Sequence, residues 1–145
     1  VETRYGLRQG TYPVLDALST LAFAYPPRSA FFKSELEHFL LLTKEQGLDP
    51  TQVKGSYAGA MGASQFISSS YRRFAVDAKS KGHIDLMNNP EDAIASVANY
   101  FYVHGWKAGQ PVIVAAKLSP NAALDKFEIS PKAPKPIYRL PQLVQ

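Results

Sequence analysis

Apolar residues recur along this chain at spacings that predict helices. Val14, Leu15, Leu18, Leu21 and Ala22 fall on one helical face. Pro13 suits the first position of that helix, which is expected to run to about Ala24. Tyr25-Pro26-Pro27 breaks it, because a residue before proline is pushed out of helical angles. A second helix is predicted from about Arg28 to Gln46, stopping at Gly47. Its buried stripe would be Phe32, Leu36, Phe39, Leu40 and Thr43, with Lys33, Glu37 and Lys44 largely on the other side. Asp49-Pro50 opens a short turn. Ser68 to Ser70 can cap a helix carrying Tyr71, Phe74 and Ala75. Asn89-Pro90-Glu91-Asp92 is the strongest helix start: a cap, a proline, then two acids beside the positive end of the dipole. Ile94, Val97, Ala98 and Phe101 would form that helix's inner face, with His104-Gly105 as its end. The run PVIVAA after Gly109 is too short to assign between strand and helix. Beyond Leu118 no period survives, and five of the 11 prolines lie between Pro120 and Pro141. The class is mainly α.

Composition narrows the picture. The chain has 145 residues, 46% hydrophobic and 19% charged, enough for one domain with a real core. The absence of cysteine excludes disulfides and thiolate metal sites. A net charge of +4 favours anionic surroundings, but the 16 basic residues are scattered, so the charge predicts weak steering and no nucleic-acid partner. Affinity for nucleic acid would fall steeply with salt. No apolar run is long enough to span a membrane. The three histidines show no metal-ligand spacing.

The stretch KGSYAGAMGASQFISSSY, residues 54–71, carries little side-chain bulk. Its glycines allow close approach of a ligand or of another part of the chain. Ser56, Ser64 and Gln65 among Tyr57, Phe66 and Tyr71 offer hydrogen bonds and flat rings of the kind that suit a sugar. Tight packing between helices explains the glycines equally well. Glu2 precedes Thr3-Arg4-Tyr5-Gly6, where residues 1–6 look like the last turn of a helix with Gly6 as its stop. A carboxyl there, beside a negative dipole end and aromatics, is expected to hold its proton and serve as a general acid. A terminal glutamate is otherwise an ordinary solvated residue.

VETRYG, YPPRSAFF, KGSYAGAMGASQF and SVANYFYVHGW resemble, in order and spacing, the membrane-bound lytic transglycosylase B family over residues 1–116. The resemblance implies a lysozyme-like helical domain truncated at both ends. Residues 1–118 would be a partial catalytic domain, and 119–145 a proline-rich irregular tail. It implies an enzyme that cleaves the β-1,4 bond between N-acetylmuramic acid and N-acetylglucosamine in peptidoglycan, forming a 1,6-anhydro-muramoyl product. Glu2 would be the single acid, then base. Arg28, Ser56, Gln65, Phe66 and Tyr100 would line the sugar subsites, although Tyr100 also suits a core aromatic. The family loop continues with proline where this chain has Ile67, and the family's later aromatic- and asparagine-rich motif has no counterpart in residues 118–145.

Some relatives in that family bind calcium at the place of Asp77 to Asn88. Here the acid at position one, Gly82 at six and Asp85 at nine keep an EF-hand-like spacing. Lys79, Lys81 and Asn88 stand where oxygen ligands are required, so the loop is expected to keep its turn without a metal, a lysine replacing the ion's charge. No cofactor is expected. The expected partner is the peptidoglycan glycan strand and the expected site of action the bacterial periplasm or cell envelope. The molecule would be a monomer, attached to a membrane only through sequence preceding Val1. A non-catalytic glycan-binding or scaffold domain derived from such an enzyme is the alternative. Hydrolysis in the manner of goose-type lysozymes is a third possibility.

Overall fold

A computed structural model describes residues 3–113, 115 and 117. The chain divides into two units, Val1–Ala108 and Gly109–Gln145. In the second unit, the described residues of PVIVAA form neither helix nor strand, and the proline-rich tail lies outside the described residues.

Four α-helices and a two-residue strand pair build the first unit: β1 (Tyr12–Pro13), α1 (Val14–Ala24), α2 (Ser29–Gln46), β2 (Lys54–Gly55), α3 (Ser68–Phe74) and α4 (Pro90–Val103). The stops and starts are local chemistry. Pro13 precedes the first turn of α1, and Pro26–Arg28 forms a 3-10 turn after Tyr25. Gly47 closes α2 in the left-handed region at φ 65°. Asn89 caps α4 by accepting the Glu91 amide, with Pro90 next to it. At Asp49, a side-chain oxygen accepts the Thr51 amide at 2.9 Å and hydroxyl at 2.7 Å, which holds the turn and lowers the carboxyl's pKa. α1 packs on α2, α2 on α3 and α3 on α4 around Val14, Leu18, Phe39, Leu42, Met61, Tyr71 and Leu86.

Two helix faces turn away from expectation. On α2 the expected Phe32, Phe39 and Thr43 are buried and Leu36 packs partly against the core, but Glu35 and Leu42 are buried as well and the expected Leu40 is 48% exposed. The stripe rotates toward Glu35 because that carboxylate, 4% exposed, accepts the Ser69 amide at 3.0 Å. Glu35 thereby caps α3 from a neighbouring helix, and the serines at 68–70 lie inside α3 instead of capping it. Glu35→Ala is expected to cost about 2 kcal/mol. An unchanged denaturation midpoint would mean that water caps α3 equally well.

On α4 the expected inner residue Ile94 is 71% exposed, and Ala98 and Phe101 are exposed too. Asp92, Ala93 and Ser96 are buried instead, with Val97 and Tyr100 partly so. α4 carries charge only in its first turn, so apolar periodicity could not choose a face. Hydrogen bonding chooses it. The irregular segment after α3 has amides to satisfy, and α4 turns its polar side toward them: Ser96 Oγ accepts the Val76 amide at 2.9 Å, and Asn99 donates to the Phe74 carbonyl at 2.8 Å. The Tyr71 hydroxyl donates to the Ile84 carbonyl at 2.8 Å and accepts the Leu86 amide at 3.3 Å. Burial pushes the Tyr71 phenol up to about 12, so it keeps the proton that bond needs.

Candidate active site

Three segments converge: the turn of residues 3–10, the glycine-rich loop of residues 54–66 and the loop of residues 77–88. Thr3 is 3% exposed, and its hydroxyl donates to the Ala63 carbonyl at 3.1 Å. Gln65 Nε2 donates to the Gln9 carbonyl at 3.0 Å and the Gly62 carbonyl at 2.9 Å. Gln9 Nε2 in turn donates to the carbonyls of Gly6, at 3.1 Å, and Met87, at 2.8 Å. The Ala63 amide donates to the Leu86 carbonyl at 2.9 Å.

This convergence requires at least two of the glycines. A Cβ on Gly10, at φ +101°, would lie 2.1 Å from the Gly55 oxygen. A Cβ on Gly62, at φ +71°, would lie 2.5 Å from the Leu86 oxygen. Both are backbone-on-backbone approaches that no rotamer change relieves. Close packing therefore accounts for these two positions. Met61 and Phe66 pair across the tight turn of residues 62–65, which holds Gln65 at φ 50°.

Thr3–Leu7 is a turn in which Arg4, Tyr5 and Gly6 have φ of 50°, 57° and 91°. A right-handed helix cannot continue through three left-handed residues, so the expected helical turn does not run to Gly6. Gly6 does sit in the left-handed region expected of a stop, but Arg4 and Tyr5 each carry about 1–2 kcal/mol of backbone cost. Glu2 itself lies outside the described residues.

The five other residues of the expected site fall into two groups. Ser56 and Gln65 share the glycine-rich loop and are already engaged within the protein. Ser56 Oγ accepts the Ala60 amide at 3.0 Å and the Ala58 amide at 3.3 Å, leaving its hydroxyl proton to donate. Gln65 spends its amide protons on Gln9 and Gly62, and among the described residues its Oε1 accepts no bond. Phe66 is buried and packs 5.9 Å from Tyr100, centroid to centroid. Tyr100 is half-buried, with Phe74 at 5.0 Å and the His104 ring at 4.1 Å, so it packs against the core while part of its ring stays exposed. Arg28 is exposed at the 3-10 turn, its guanidinium 4.3 Å from the Phe31 ring centroid. No direct contact joins Arg28 to the other four among the described residues.

A separate open cleft of about 560 Å³ is lined by His38, Glu45, Ser69, Arg72 and Arg73, none of them in the expected site. Arg72 there binds Glu45 through Nη2 at 2.6 Å and Nε at 2.9 Å, and places Nη1 2.6 Å from His38 Nδ1. The hydrogen bond from Arg72 holds the Glu45 carboxyl below its usual value. This is a solvated ion-pair network on the α2–α3 surface.

The loop of residues 77–88 does not fit a divalent cation. Asp77 spends one oxygen on the Lys79 amide at 3.2 Å and the other on the Gly82 amide at 2.7 Å. Asp85 accepts the Met87 amide at 3.0 Å and the Asn88 amide at 2.9 Å through one oxygen, and the Asn88 side chain at 3.1 Å through the other. Lys79 forms an ion pair with Glu91 at 2.6 Å. Among the described residues no cluster of three acidic or histidine side chains can hold a metal. Millimolar calcium is expected to leave the melting temperature where magnesium leaves it. A calcium-specific rise would contradict this.

The whole chain but its last three residues matches the transglycosylase SLT domain, over residues 1–142, and the chain belongs to that family. It is 50% identical over 134 residues to membrane-bound lytic murein transglycosylase B of Escherichia coli strain K12, covering 90% of this chain and 37% of that protein. The fold matches the E. coli lytic transglycosylase Slt35 in complex with calcium, with TM-score 0.73 and 53% identity, over 76% of this chain and 35% of that one. It also matches SltB3 from Pseudomonas aeruginosa in complex with NAG-NAM-pentapeptide, with TM-score 0.71 and 38% identity, over 76% of this chain and 29% of that one. The chain thus spans just over a third of the length of the curated relative. Its fold is that of the lysozyme-like lytic transglycosylases.

Proposed function

We propose that this domain cleaves peptidoglycan glycan strands as a lytic transglycosylase, with Glu2 as its one acid and base. The observation that carries this is the docking of Thr3, the residue after Glu2, on the Ala63 carbonyl of the loop that bears Ser56 and Gln65. A covalent neighbour of Glu2 is thereby tied to the loop whose hydroxyl proton and carboxamide oxygen are free for a sugar. The relatives' names, with murein and a NAG-NAM-pentapeptide among them, support the same substrate class.

Ordinary glycosidases divide acid and nucleophile, or acid and base, between two carboxylates. Among the described residues the buried acids are Glu35 and Asp92, and both are committed: Glu35 caps α3, and Asp92 accepts the Ala78 and Asp85 amides. One glutamate suffices when the substrate supplies the nucleophile. Protonated Glu2 gives its proton to the glycosidic oxygen as the bond to the muramoyl anomeric carbon breaks. The 2-acetamido group of that ring stabilises the positive charge. The carboxylate then takes the proton of the ring's own 6-hydroxyl as its oxygen bonds to the anomeric carbon, closing the 1,6-anhydro product without consuming water. Ser56 donates to, and Gln65 Oε1 accepts from, the acetamido and hydroxyl groups. Phe66 and Tyr100 form an aromatic wall, and Arg28 offers a cation to substrate carboxylates.

The domain works on the envelope side of a bacterial cell, in the periplasm or cell envelope, as a monomer. No helix among the described residues is long and apolar enough to cross a membrane. A glycan-binding scaffold without turnover is the competing function. Muropeptide analysis of purified sacculi separates the two. Anhydro-muropeptides support the transglycosylase; sacculus binding without them supports the scaffold, and reducing-end sugars would mean hydrolysis.

A further inference from the structure

We propose that the Thr3 hydroxyl is a positioning group for the carboxylate one residue before it, acting by clamping the left-handed turn of residues 4–6 onto the glycine-rich loop. This rests on Glu2 being the acid. The hydroxyl uses both of its capacities: it donates to the Ala63 carbonyl at 3.1 Å and accepts the Gly6 amide at 3.0 Å. The Thr3 carbonyl accepts the Arg8 amide at 2.8 Å, so both sides of the turn are tied back to this one residue.

Arg4 and Tyr5 would adopt right-handed angles if free to do so. What opposes them is the ring closed by Thr3: hydroxyl to Gly6 amide inside the turn, hydroxyl to Ala63 outside it. The turn also meets the loop sterically, because a Cβ on Gly6 would sit 3.4 Å from the Ala63 Cβ. A residue that merely filled this buried space would need the shape of threonine and not its hydroxyl. Two simultaneous bonds in opposite senses require an O–H. Loss of the clamp lets the turn relax, so the group carried one residue before it loses this anchor. A displacement near 1 Å at a reacting group can cost about 100-fold in rate.

The test compares Thr3→Val, which keeps the branched shape, with Thr3→Ser, which keeps the hydroxyl, using Glu2→Gln as reference. On sacculi, Thr3→Val is expected to lower kcat about tenfold or more with KM within about twofold, and Thr3→Ser to restore kcat to within about threefold. Thr3→Val at the wild-type rate beside an inactive Glu2→Gln overturns the proposal. A Glu2→Gln enzyme at the wild-type rate overturns the acid assignment instead. Amide hydrogen exchange decides the clamp independently of activity and without relying on a variant that folds. The Gly6 amide is expected to exchange slowly in the unmodified protein. Exchange there at the rate of a free peptide overturns the clamp.

Discussion

Glu2→Gln is expected to lower kcat on purified sacculi by about 1,000-fold or more while leaving sacculus binding within a few-fold. Glutamine matches the size of glutamate and keeps an acceptor oxygen, so contacts that hold the strand survive. It has no proton acidic enough for a leaving sugar oxygen and no carboxylate to receive the 6-hydroxyl proton. One substitution therefore removes both half-reactions, which is why the loss should exceed that of one partner in a two-carboxylate enzyme. Turnover near wild type would remove Glu2 from the mechanism and leave the scaffold function standing.

The boundaries of the helices were legible because their causes are local. Pro13, Tyr25-Pro26-Pro27, Gly47 and the Asn89–Asp92 start each act through their own backbone angles or the next few amides. The faces of α2 and α4 were not, because a face is defined by what lies across from it. Glu35 is buried to serve an amide 34 residues away, and Ser96 to serve one 20 residues away. Apolar spacing contains neither fact. The same holds for the site. Glu2, Ser56, Gln65 and Tyr100 could be picked out through family motifs, whereas Gln9, which bonds Gly6 and also Met87 78 positions away, carries no sequence signal of its own. The helical turn expected to run to Gly6 stops short of it, because Arg4 and Tyr5 already have positive φ, which neither residue type signals. Residues 54–71 admitted packing or binding as the reason for their glycines. Gly62 shows packing at work, and the Ser56 hydroxyl proton, which makes no bond among the described residues, leaves room for binding in the same loop.

Asp92→Asn is expected to destabilise the domain by about 3 kcal/mol, roughly 10 °C in Tm. Asp92 is 1% exposed, and each of its oxygens accepts one amide at 3.0 Å: Ala78 on Oδ1 and Asp85 on Oδ2. Asparagine can accept only one of them and points an N–H₂ group at the other, leaving a buried amide facing a donor. The wild-type carboxylate also predicts an acid limb. Burial pushes its pKa up, but the Asp85 and Ala78 amides, the Asn89 side chain and the charge of Lys81 outweigh that and leave it below the ordinary 3.8. A pKa depressed in the folded state contributes stability above the unfolded value, and that stability is lost as pH falls through the folded one. Wild type should therefore lose stability below about pH 4, and the variant should lose less over the same range. The effect should reach the site. Ala78 and Asp85 lie in the loop of residues 77–88, whose Leu86 carbonyl holds Ala63 and whose Met87 carbonyl holds Gln9. Turnover by the variant should then fail at temperatures where its helices persist by far-ultraviolet circular dichroism. A variant that melts within about 2 °C of wild type, with an unchanged acid limb, would show that the loop does not depend on Asp92.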